Sequence, residues 1–170
     1  STSRWTTLSA RRSSRADTRA GDDRRMDEQA VVRVRGLRKR YGGATAVDGI
    51  DLTVHRGEVF AVLGPNGAGK TTTMEILEGY RKRDGGEVAV LGTDPERADL
   101  TWRYRIGVVL QDAHDASELT VAETVGHFAR YYPQPSPPAE VIERVGLTAK
   151  ARARVRTLSG GQRRRLDVAV

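Results

Sequence analysis

The eight residues Gly64-Pro65-Asn66-Gly67-Ala68-Gly69-Lys70-Thr71 fit G-x-x-x-x-G-K-[ST] without a mismatch. Glycines so spaced let successive backbone N–H groups turn into one concavity, which binds anionic oxygens. Lys70 supplies a point charge for outer phosphates, and the Thr71 hydroxyl is placed to coordinate Mg²⁺. A second candidate is Leu158-Ser159-Gly160-Gly161-Gln162. A Ser-Gly-Gly turn opening a helix offers a hydroxyl and backbone N–H groups to an anion, although the same turn also serves as a plain helix cap. With no cysteine, disulfides and Cys-based metal or redox sites are excluded, and His55, His114 and His127 show no ligand spacing.

The first loop needs a strand before it and a helix after it. Val59-Phe60-Ala61-Val62-Leu63 is a short apolar run that predicts a fully buried strand. Thr72 to Tyr80 predicts a helix with Met74, Ile76 and Leu77 on its inner face, its N-terminus adding partial positive charge to the loop. That context marks a nucleoside triphosphate site. Upstream, Val31–Arg35 and Ala46–Val54 predict strands on either side of a Gly42-Gly43 turn, with Tyr41 just before it. Downstream, Glu87–Leu91 predicts a strand, Pro95–Tyr104 a short helix, and Ile106–Leu110 a buried strand ending at Gln111. From Leu119 to Val155 helical patterns take over. Val121, Val125, Phe128 and Ala129 share one face, and Pro138 opens a helix with Val141, Ile142 and Val145 inward. The expected fold is α/β, with a helical insertion.

At 170 residues and 38% apolar content, the chain can bury one modest core. No apolar run spans a bilayer and no apolar segment follows the basic start, so the composition reads as a soluble intracellular protein. The net charge of +7 raises the question of nucleic acid, but seven arginines against three aspartates in residues 1–25 hold most of it. Residues 1–29 read as a disordered basic tail. Three readings of residues 1–25 stay open: a solvated tail, a weak anion-binding arm, or sequence upstream of a natural start at Met26. Arg163-Arg164-Arg165 reads as a solvated helix face, and no nucleic-acid partner is expected.

With both motifs in place, and a strand ending in Gln111 between them, residues from about Val31 to Val170 closely resemble the ATP-binding subunits of ABC transporters, above all those of ABC-2-type drug and antibiotic exporters. The resemblance implies a P-loop NTPase core with an antiparallel β subdomain and a helical subdomain at about 112–160, within a domain of residues 30–170. It implies ATP and Mg²⁺ as cofactors. Tyr41 would stack on adenine. Gly64 through Thr72 would be the Walker A loop, with Asn66, Gly67, Ala68, Gly69 and Lys70 around the phosphates. Thr71 would bind Mg²⁺, and Gln111 would reach Mg²⁺ and the attacking water, placing it beside Lys70 in the catalytic set. Ser159, Gly160, Gly161 and Gln162 would form the signature loop.

In that family the signature loop closes over ATP held by a second subunit, so a head-to-tail dimer is implied, along with a transmembrane permease subunit and a peripheral position on the inner face of the cell membrane. Family members continue beyond the signature helix to an apolar strand ending in Asp-Glu and then a histidine. None of these falls within the 170 residues. The expectation is therefore ATP binding with weak or no hydrolysis by this stretch alone, and a sheet with an unpaired apolar edge. Two alternatives stay open: a soluble ABC ATPase acting on the ribosome or nucleic acid, and a non-catalytic fragment.

Overall fold

The computed structural model describes residues 6–10, 30–109 and 118–170, and Gln111 lies outside them. The chain divides into two compact units, Ser1–Ile106 and Gly107–Val170.

In the first unit, β2 (Ala30–Tyr41) and β3 (Ala44–His55) fold back on each other across Gly42-Gly43, with Tyr41 opposite Ala44. β5 (Gly85–Val90) pairs antiparallel with the other edge of β2, giving the order β3-β2-β5. Val34 and Leu37 are three residues apart, a spacing that would put them on opposite faces of a regular strand. Both are nevertheless fully buried, because the ladder slips between them. Gly36 takes the bulge at a φ of +57°, and its N–H donates to Asp51 Oδ1 at 2.6 Å. Val34, Leu37, Val47, Leu52, Val88 and Val90 then form a core with Ile76 and Trp102. The Trp102 indole N–H donates to the Val90 carbonyl at 2.8 Å, so the one polar atom of that ring is satisfied inside. Trp102 sits on the short α2 (Leu100–Arg103), capped by Asp99, after the 3₁₀ turn Pro95–Arg97.

β4 (Val59–Leu63) leads into the glycine loop and α1 (Lys70–Leu77) leaves it. β4 is not the fully buried strand its composition predicts: Val59 is 73% and Leu63 46% exposed. One of its two edges is paired, and among the described residues no strand pairs with the other, in line with the expected unpaired edge. β1 (Thr6–Ala10) pairs antiparallel along its full length, from Thr6 opposite Leu63 to Ala10 opposite Val59. The expected disorder of residues 1–29 therefore fails at Thr6–Ala10; the remainder of that segment lies outside the described residues. A strand edge carries unpaired N–H and C=O groups that recruit any extended segment able to reach them, and reach is not written in local sequence. On α1, Ile76 and Thr73 are buried while Met74 is 44% exposed, contrary to the inward face expected of it. Residues Ile106–Val109 make no ladder, and Val108 and Val109 are exposed. Apolar composition alone does not make a strand without a pairing edge.

The second unit is helical. α3 (Val121–Ala129), α4 (Pro138–Arg144) and α5 (Gly160–Ala169) are linked by 3₁₀ turns at Thr148–Lys150 and Val155–Thr157. Val121, Val125, Ile142, Leu147, Val155, Leu158 and Leu166 form their own core. Phe128 is more exposed than the face it shares with Val125 suggests. α3 opens with a capping box: Glu123 N–H donates to Thr120 Oγ1, and Glu123 Oε2 accepts from Thr120 N–H at 2.8 Å. The Thr120 N–H and hydroxyl, both donating to Oε2 at 2.8 Å, hold the Glu123 carboxyl below its usual range.

Candidate functional site

The glycine loop is built where β3 crowds it. Gly69 has a φ of +83°, and a Cβ there would stand 2.2 Å from the Ala46 carbonyl oxygen. Glycine is thus demanded twice, once by backbone conformation and once by space. Gly67, at φ +81°, faces open space. Ala68 is buried and its N–H donates to the Pro65 carbonyl at 3.2 Å, tightening the bend. Gly69 is also the N-cap of α1, and no side chain caps that helix end. The first-turn N–H groups of an uncapped helix are an anion-binding device.

Lys70 Nζ donates to the Gly64 and Pro65 carbonyls, each at 2.7 Å. The ammonium is thereby drawn across the loop, with one of its three donors left over. Thr71 is exposed at the start of α1. Among the described residues no group of three His, Cys, Asp or Glu converges on a metal position. A lone threonine oxygen fits Mg²⁺ carried in on phosphates, since that ion keeps most of its coordination for water and phosphate rather than a protein cage.

Tyr41 ends β2 beside this loop's supporting strand and is 41% exposed. Two cations lie over its ring: Lys39 Nζ at 5.6 Å and Arg81 Cζ at 5.3 Å from the centroid. Each is held by a carboxylate. Lys39, two residues before Tyr41 and so on the same face of β2, donates to Asp84 Oδ1 at 2.8 Å. Arg81 Nε donates to Glu75 Oε2 at 2.5 Å, and its backbone N–H to the Glu75 carbonyl at 3.0 Å. The bond to Glu75 raises the Arg81 pKa, and that to Lys39 lowers the Asp84 pKa. Because Glu75 lies on α1, Arg81 ties the Tyr41 ring to the helix that the loop opens. Nothing in the local pattern announces Arg81; its partners are distant or out of helical phase.

Ser159, Gly160, Gly161 and Gln162 belong to the second unit. Ser159 caps α5: its Oγ accepts from Gln162 N–H at 3.3 Å, and Gln162 Oε1 accepts from Ser159 N–H at 2.9 Å. The reciprocal bonds occupy Gln162, whereas the Ser159 hydroxyl keeps its own hydrogen to donate. Gly160 and Gly161 are exposed at the first two helical positions and carry no Cβ to screen their N–H groups.

A family model described as ABC transporter matches residues 47–170. The Nod factor export ATP-binding protein I of Ralstonia nicotianae is 45% identical over 145 residues, covering 82% of this chain and 45% of that protein. A daunorubicin resistance ATP-binding protein of Streptomyces coeruleorubidus is 42% identical over 144 residues, covering 82% of this chain and 46% of that protein. The chain thus spans just under half the length of these curated relatives. In fold it is similar to cbiO1 of Clostridium perfringens, part of an ABC transporter complex, with a TM-score of 0.70 at 24% identity over 83% of this chain and 60% of that one. An uncapped helix behind a glycine loop, a family match across both motifs and relatives of this identity agree: the chain belongs to the ABC transporter family, in its ATP-binding part.

Proposed function

We propose that this chain binds Mg-ATP at Gly64–Thr72 and that the longer protein uses the hydrolysis of that ATP to drive an exporter of drug-, antibiotic- or lipid-like molecules. The observation that carries the reading is the loop itself: an uncapped helix N-terminus, a glycine required by both conformation and space, and a lysine bridging the loop. Asn66, Gly67, Ala68, Gly69 and Lys70 surround the phosphates, Thr71 contributes an oxygen to Mg²⁺, and Tyr41 stacks on the adenine. Gln111, outside the described residues, takes the role next to Mg²⁺ and the attacking water. The Ser159 hydroxyl and the N–H groups of Gly160 and Gly161 donate to ATP held by a second subunit in a head-to-tail dimer, with Gln162 fixing the cap. Among the described residues no helix is long and apolar enough to cross a membrane. In the proposed assembly a transmembrane permease subunit forms the path, and this chain sits on its cytoplasmic side. The names of two relatives, a Nod factor export protein and a daunorubicin resistance protein, support export.

Calorimetric titration of the chain with Mg-ATP tests the binding reading. Lys70→Ala is expected to weaken binding by about tenfold or more, since a charge-assisted contact to phosphate is lost. Binding at the parental affinity would overturn it. Loading inverted vesicles that carry the full protein and its permease separates export from import, because only an exporter accumulates its cargo inside them on addition of ATP.

A further inference from the structure

The Tyr41 ring is held by groups the phosphate loop's own motif does not contain. Arg81 lies over the ring at 5.3 Å, and it cannot drift freely, since Glu75 binds both its side chain and its backbone N–H. The Arg81 and Glu75 side chains are 34% and 25% exposed, so the pair is only partly open to solvent screening. Gly79, at φ +73°, turns the chain between the end of α1 and Arg81; a Cβ there would stand 2.8 Å from the Pro95 carbonyl oxygen. The turn that delivers the guanidinium is therefore fixed by packing as well.

We infer that Arg81 is a positioning residue for nucleobase binding: clamped by Glu75 of α1, it fixes the Tyr41 ring so that base and phosphates are gripped in register. The inference rests on the reading of Tyr41 as the adenine platform. A guanidinium suits the task because its plane stacks on an aromatic face while its edge donates to a carboxylate. Loosening it frees the ring to rotate about its side-chain torsions, and the base then loses a pre-organised surface. The phosphate subsite makes no use of the ring, so inorganic tripolyphosphate reports on the loop alone.

The test is a double-mutant cycle by titration calorimetry on the full chain, using Mg-ATP and Mg-tripolyphosphate as probes. Arg81→Ala is expected to weaken ATP about three- to fivefold, the range of a partly exposed cation–π contact, and to leave tripolyphosphate unchanged. Arg81→Lys should recover part of the loss, and Arg81→Ala should have no further effect in a Tyr41→Ala background. Equal weakening of both probes, or an undiminished Arg81→Ala effect without Tyr41, overturns the inference, because the residue then acts through the loop or through overall stability. If Tyr41→Ala weakens ATP selectively but Arg81→Ala changes nothing, the platform reading stands and the clamp falls. If Tyr41→Ala spares ATP, both fall. Melting curves on each variant keep a folding defect from passing for a binding one.

Discussion

Gly69 stands under two independent constraints, and they predict different penalties at neighbouring glycines. Its φ of +83° disfavours any side chain, and the Ala46 carbonyl occupies the place of a Cβ. Gly67 shares the conformation but has open space around it. Gly67→Ala should cost about 1 kcal/mol of strain, and Gly69→Ala about 1–3 kcal/mol more, because the loop must also move away from β3. Urea unfolding of the two variants checks the difference, and equal costs would mean that the loop relaxes freely away from Ala46. The glycine loop was legible in sequence because its chemistry is local: strand, bend, lysine and hydroxyl follow one another along the chain. Arg81 was not. Its value depends on Glu75 and Tyr41 meeting it in space, six and forty residues earlier in the chain, with no period to link them. The Ser159 cap is an intermediate case, since S-x-x-Q spells the capping box, yet only geometry shows that Gln162 is occupied by the cap and that the Ser159 hydroxyl still has a hydrogen to give.

Among the elements, the turn after α1 is tied down by charge. Arg83 donates from both terminal nitrogens to Asp94, at 2.8 and 2.7 Å, and from Nε to the Gly86 carbonyl at 3.0 Å. Asp94 in addition caps the 3₁₀ turn Pro95–Arg97. The forked bond to Arg83 lowers the Asp94 pKa, so the folded state holds the carboxylate more tightly than the unfolded chain does. A lowered folded pKa contributes stability that is complete above the unfolded value, about 4, and is lost as pH falls through the folded one. Asp94→Asn should therefore cost about 1–2 kcal/mol at neutral pH. That gap to the parent chain should narrow steadily below about pH 4. Thermal melts of the two proteins from pH 7 to pH 3 test this; a gap constant with pH would mean that the Asp94 charge is not its source, since asparagine keeps the cap. At this scale sequence reading did less well. β2, β3 and α4 were legible because a hairpin turn, an alternating pattern and a leading proline announce them. β1 and the unpaired Ile106–Val109 were not, since a strand exists only when another edge accepts it.

On the scale of the whole chain, the apolar side chains sort into two cores rather than one. Val34, Leu37, Ile76 and Trp102 belong to the unit that carries the glycine loop and Tyr41, while Val121, Ile142, Leu147 and Leu166 belong to the unit that carries the Ser159 cap. Each half of the proposed machinery is therefore supported by packing of its own, which suits the proposed assignment of the two motifs to different nucleotides. Leu147 is 1% exposed at the centre of the second core, and its N–H closes the end of α4 on the Ile142 carbonyl at 2.9 Å. Leu147→Ala should cost that core about 2–5 kcal/mol, the cavity term depending on how far Val121 and Leu166 can close in. If the cores are separate cooperative units, hydrogen exchange will rise across residues 118–170 while amides of β2, β3 and α1 keep their protection. Mg-ATP affinity proposed for the glycine loop and Tyr41, both carried by the first unit, should then be unchanged. Equal loss of protection in both halves would mean that the second core also sustains the first, and the signature unit could not then loosen without releasing the nucleotide.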